Sequence, residues 1–62
     1  MNGNYRYNME NAFGDLVTIH VTSAGPAYVE IPGYFEDDDP ELKYFRDEDA
    51  AADWAYAQGY RE

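Results

Sequence analysis

The side chains equipped for chemistry are few. His20 is the sole histidine, Ser23 the sole serine, and cysteine is absent from the 62 residues. Nucleophilic catalysis needs a base within hydrogen-bond reach of the nucleophile and a third group to orient that base. His20 falls near the end of a strand-like run and Ser23 in the turn after it, and the sequence sets no third group beside them. His20 is therefore read as an exposed strand residue. Carboxylates are abundant, in Glu36-Asp37-Asp38-Asp39 and Asp47-Glu48-Asp49. A carboxylate becomes a general acid or base only in a pocket that shifts its pKa, and so short a chain rarely encloses one. A calcium loop of the EF-hand kind needs glycine at its sixth position and glutamate at its twelfth. Counting from Asp37 puts Leu42 sixth, with Pro40 and Lys43 intervening, and counting from Asp47 puts Ala52 sixth. The expectation is a non-enzymatic protein with no metal and no cofactor.

The elements that must position these acids come from hydrophobic periodicity. Tyr5, Tyr7 and Met9 alternate with Arg6, Asn8 and Glu10, the period of two of a half-buried strand. After a short loop at residues 11–15, Val17, Ile19 and Val21 alternate with Thr18, His20 and Thr22. Ser23-Ala24-Gly25-Pro26 reads as a turn. Ala27, Val29 and Ile31 then face inward, with Tyr28 and Glu30 outward, until Pro32 removes a donor and ends the strand or leaves it at an edge. Short successive connections make an antiparallel meander the expected topology. Residues 42–46 are read as a fourth strand, with a helical turn begun by Asp39 and Pro40 as the alternative. Asp47 to Gln58 reads as a helix: Asp47 is a good N-cap, and Glu48 and Asp49 complement the positive helix end. Ala51, Trp54 and Ala55 form a narrow apolar stripe, and Gly59 stands where a terminating glycine belongs. The predicted fold is α+β: a three- to four-stranded antiparallel meander with one C-terminal helix on one face, a single domain over residues 1–62.

Length, charge and composition restrict the role. A domain of this size has roughly 3–5 kcal/mol of stability unless something staples it. With no disulfide available, a homodimer is the remaining way to enlarge the core. The absence of cysteine fits a reducing cytoplasm, and neither a signal peptide nor an apolar run long enough for a membrane is legible. The formal charge is −9, beyond the magnitude of about 2–8 that suits a small domain, and it is concentrated. Residues 1–35 carry Glu10, Asp15 and Glu30 against Arg6, while residues 36–62 carry ten acids against Lys43, Arg46 and Arg61. Aromatic residues make up 18% of the chain, too many for a disordered segment and more than a small core can enclose. Trp54, Phe45 and one or two of Tyr5, Tyr7 and Phe13 are assigned to the core. Tyr28, Tyr34, Phe35, Tyr44 and Tyr56 cannot all join them.

Exposed aromatics beside carboxylates have the composition of a protein interface. The first candidate is Tyr34, Phe35, Glu36, Asp37, Asp38 and Asp39, continuing to Glu41; the second is Asp47, Glu48, Asp49 and Asp53. Fixed carboxylates can stand in for phosphates toward Arg and Lys, because both anions accept charge-assisted, bidentate hydrogen bonds. Such a protein would bind a basic nucleic-acid-binding protein and would not bind nucleic acid itself. In size, charge, lack of cysteine and tyrosine-rich acidic surface the chain resembles the small acidic phage proteins that disable host nucleic-acid machinery, anti-CRISPR proteins and other DNA mimics among them. The resemblance implies an inhibitor, in the host cytoplasm, that blocks DNA binding by a CRISPR effector complex. A different class stays open: an acidic interaction or scaffold module, or a self-associating domain, that binds a basic protein without displacing nucleic acid. The chain would be a monomer or a homodimer.

Overall fold

A computed structural model describes residues 3–33 and 37–62. Four strands, β1 (Tyr5–Glu10), β2 (Leu16–Val21), β3 (Ala27–Ile31) and β4 (Glu41–Phe45), precede one helix, α1 (Glu48–Ala57). The strands form one sheet in the order β1-β2-β3-β4, each antiparallel to its neighbour. The fold is α+β, a four-stranded meander with the C-terminal helix packed against it over β2, β3 and β4. The sheet register sets Tyr7 opposite Ile19 and Ile19 opposite Val29, so the inward residues of the first three strands form continuous rows beneath the helix.

The turns follow from their residues. Asn11 Oδ1 accepts from the backbone N–H of Phe13 and of Asp15, both at 2.9 Å, and thereby replaces the backbone acceptors that a tight turn lacks. Between β2 and β3 the Thr22 hydroxyl donates to the Pro26 carbonyl at 2.8 Å. Gly25 supplies the positive φ of 110° there, which a side chain would oppose.

The core is small in number and in volume: Met9, Val17, Ile19, Ala27 and Val29 from the sheet, Ala51 and Ala55 from the helix. Each fully buried Val or Ile contributes about 1.5–3 kcal/mol. The two alanines have little bulk, and this lets the helix backbone settle close on the sheet. The large aromatics seal the margin. Phe45, Trp54, Tyr60 and Tyr7 are half-buried and pack against the core, with Trp54 6.1 Å from the Phe45 ring centroid and 6.5 Å from that of Tyr60. Of the three aromatics considered for the remaining core places none is fully buried: Tyr7 is half-buried against the core, Tyr5 is 51% exposed, and Phe13 is 90% exposed in the β1–β2 turn.

Gly59, with φ 97°, ends the helix as glycine does best. The chain then returns so that Arg61 pairs with Glu10, its N–H donating at 2.9 Å and its carbonyl accepting at 2.8 Å. One end of the outer edge of β1 is thus covered by the chain's own C-terminal residues.

Candidate interaction surface

The two acidic clusters take up different work. Asp47 is the N-cap of α1, its carboxylate accepting from the Ala50 N–H at 2.9 Å, and it lies 3.6 Å from Arg46 Nε. Glu48 turns inward over β1, where it accepts hydrogen bonds from the hydroxyls of Tyr5 and Tyr7, the latter at 2.9 Å. Both phenols are thereby held protonated. Burial first, and then the bond to Glu48, push the Tyr7 pKa well above its ordinary value; for Tyr5 the bond to Glu48 leads. Asp47 and Glu48 hold the fold, one by capping the helix and the other by tying the helix to β1.

Asp49 and Asp53 project from the helix into solvent. Four residues apart, they share one helix face. Asp37, Asp38 and Asp39 are exposed in the connection leading into β4, and Glu41 is exposed at the start of that strand, 3.8 Å from Lys43. This connection is closed against the end of β3: a β-carbon on Gly33 would stand 2.8 Å from the Asp38 carbonyl oxygen. Tyr34, Phe35 and Glu36, the aromatic half of the first candidate, lie outside the described residues. The exposed acids therefore form a ridge at the start of β4 and along the helix packed over the sheet.

The opposite face of the sheet has no covering element among the described residues, and it carries groups that sequence reasoning treated singly. The register aligns Arg6, His20, Tyr28 and Tyr44 in one row across all four strands. His20 stacks on Tyr28, with ring centroids 4.5 Å apart and planes 10° from parallel, and Tyr28 meets Tyr44 at 5.4 Å. His20 is not the exposed residue expected from sequence. Its side chain is 18% exposed and its Nε2 lies 2.8 Å from Glu30 Oε1. Glu30 sits one register step along β3, a diagonal cross-strand neighbour. The alternation already turned both residues outward; a register from the four-residue turn at residues 23–26 was the signal that could have paired them.

Among the described residues no group of three or more His, Asp or Glu side chains is gathered closely enough to hold a metal ion, and no helix is long and apolar enough to cross a membrane. Compared with protein-family models, curated proteins and solved structures, the chain matches none.

Proposed function

We propose that the protein is a non-enzymatic acidic inhibitor that occupies the positively charged nucleic-acid-binding surface of another protein, a CRISPR effector complex being the partner that the resemblance implies. The observation that carries this reading is the placement of the exposed acids. Asp49 and Asp53 stand on a helix whose alanine face is locked into the sheet, and Asp37, Asp38, Asp39 and Glu41 lie at the start of the edge strand β4. Carboxylates held still on a compact body lose little entropy when Arg or Lys grips them, and attraction at a distance speeds the encounter. Duplex DNA offers about one charge per 1.7 Å of axis, so a basic groove built for that density has cations to spare for this ridge.

The test is displacement. With an effector complex and its target DNA in a mobility-shift assay, the protein should release the DNA, and release should fade as salt is raised. Reversing Asp49 and Asp53 to Lys should abolish release while leaving the circular dichroism native, because neither carboxylate caps the helix or ties it to the sheet. A complex that binds the protein yet keeps its DNA would favour the scaffold reading. Release that is indifferent to salt would overturn the electrostatic one.

A further inference from the structure

We infer that the uncovered sheet face is a self-complementary surface on which a second copy of this chain docks, sheet to sheet, about a two-fold axis parallel to the strands. Such an axis, passing between β2 and β3, lays β1 of one copy over β4 of the other while keeping each residue at its level along the strands. The row Arg6–His20–Tyr28–Tyr44 then meets itself reversed, with Arg6 over the second copy's Tyr44 and His20 over its Tyr28. The neighbouring row, Asn8–Thr18–Glu30–Leu42, sets the Thr18 hydroxyl over Glu30 in the same way.

Three observations favour a second copy as the occupant. The first is shape. Tyr44 stands out from β4 with 71% of its surface exposed. At the other end of its row an open depression of about 340 Å³ lies among Asn4, Arg6, His20, Thr22 and Tyr28. The proposed axis carries the projecting ring of each copy to the depression of the other.

The second is charge. Lys43 and Arg46 have carboxylate partners, and Arg61 donates to the carbonyls of Tyr56 and Tyr60 and lies over the Tyr56 ring. Arg6 has no ion-pair partner among the described residues, in a chain with 13 acids. An arginine over a tyrosine face supplies the missing contact. The face as a whole carries Arg6 against Glu10 and Glu30, while the rest of the chain holds eleven acids against three basic residues. A strongly charged partner would find little to grip here. The acidic ridges of two copies would point away from each other, separated by two sheets about 10 Å apart and a helix layer on each side, well beyond the Debye length of ~8 Å.

The third is area. Four strands of five or six residues make a face roughly 20 Å on a side. Two such faces bury about 800–1,200 Å², the lower end of specific interfaces, which points to a reversible dimer. This surface is opposite the acidic ridge and independent of the proposed inhibition, and its test uses this protein alone.

Sedimentation equilibrium of the full chain over a concentration series should show a monomer–dimer equilibrium. Arg6→Glu and Tyr44→Ala should each raise the dimer dissociation constant by about a hundredfold. The symmetry removes each contact twice, and each is worth about tenfold. Circular dichroism of both variants should remain native, since neither side chain enters the core, and Asp53→Lys on the helix should leave the equilibrium unchanged. A wild-type chain that stays monomeric at its solubility limit overturns the inference. So does a dimer that tolerates both sheet-face substitutions, because it would then be made elsewhere.

Discussion

Asp47, Glu48 and Asp49 are neighbours in the chain with three different occupations. The cap made by Asp47 was legible because its partner, the Ala50 N–H, lies three residues on and helix starts are local events. The bonds from Tyr5 and Tyr7 to Glu48 span 43 and 41 residues and exist only because the helix crosses back over the sheet. No local pattern encodes them. Asp47→Ala should lower stability by about 1 kcal/mol in urea unfolding, and Asp49→Ala should change it by less than about 0.5 kcal/mol. Equal losses would mean that the cap is not what holds the first turn. Tyr7 makes a pH test. Its folded pKa lies above the unfolded value of 10.0, so its contribution is fully present below pH 10.0 and is lost as the pH climbs from there toward the folded value. Stability should therefore fall on the alkaline side, and absorbance at the phenolate band should show Tyr7 ionising only with unfolding. Tyr7→Phe should flatten that limb; an unchanged alkaline limb in this variant would remove Tyr7 from the account.

Among the elements, the first three strands and the helix were legible because each has one apolar side that alternates or recurs at the right period. The fourth strand, expected over residues 42–46 and found at Glu41–Phe45, had the least distinct pattern, and the register explains it. Glu41, Lys43 and Phe45 share the helix side of β4, while Leu42 and Tyr44 face the open side, so its apolar residues fall on both faces. Lys43 is accommodated on the inner side because its ammonium reaches the Trp54 ring, 5.9 Å from the centroid, and Glu41. The Trp54 ring thus lies within reach of β4 through Phe45 and Lys43 and of the returning C-terminus through Tyr60. Trp54→Ala should cost about 3 kcal/mol, the lower end for such a truncation because the ring is half-buried. With only about 3–5 kcal/mol to lose, the variant should melt near room temperature. A variant whose melting temperature hardly moves would show that the alanine stripe alone docks the helix. Within that stripe Ala51 and Ala55 are fully buried, so Ala51→Leu should destabilise by about 1–3 kcal/mol through overpacking. A neutral result would reveal slack between helix and sheet.

At the scale of the whole molecule, the sequence disclosed how much charge there is but not how it is divided. Division between faces needs a register, and the register came from turns whose hydrogen bonds could only be seen in three dimensions. The fold separates a near-neutral sheet face from an acidic helix-and-loop side, and this separation bears on whether the charge is used or merely solubilising. Described ion pairs with Lys or Arg number two, Lys43–Glu41 and Arg46–Asp47, at 3.8 and 3.6 Å. Exposed pairs of this kind are each worth about 0–1 kcal/mol, too little to offset the mutual repulsion among the exposed carboxylates. Repulsion should therefore dominate, and the melting temperature should rise as sodium chloride screens it. Asp53→Asn, which removes a charge from mid-helix, where the dipole gives it no benefit, should stabilise by a few tenths of a kcal/mol. Calorimetry over a salt series checks the first expectation and urea unfolding of the variant the second. A melting temperature that falls with salt would mean that attractive pairs dominate and that the acids earn their place in the fold itself. A rise, joined to loss of inhibition in the Asp49 and Asp53 reversals, would mean that these acids oppose folding and are present for what they bind.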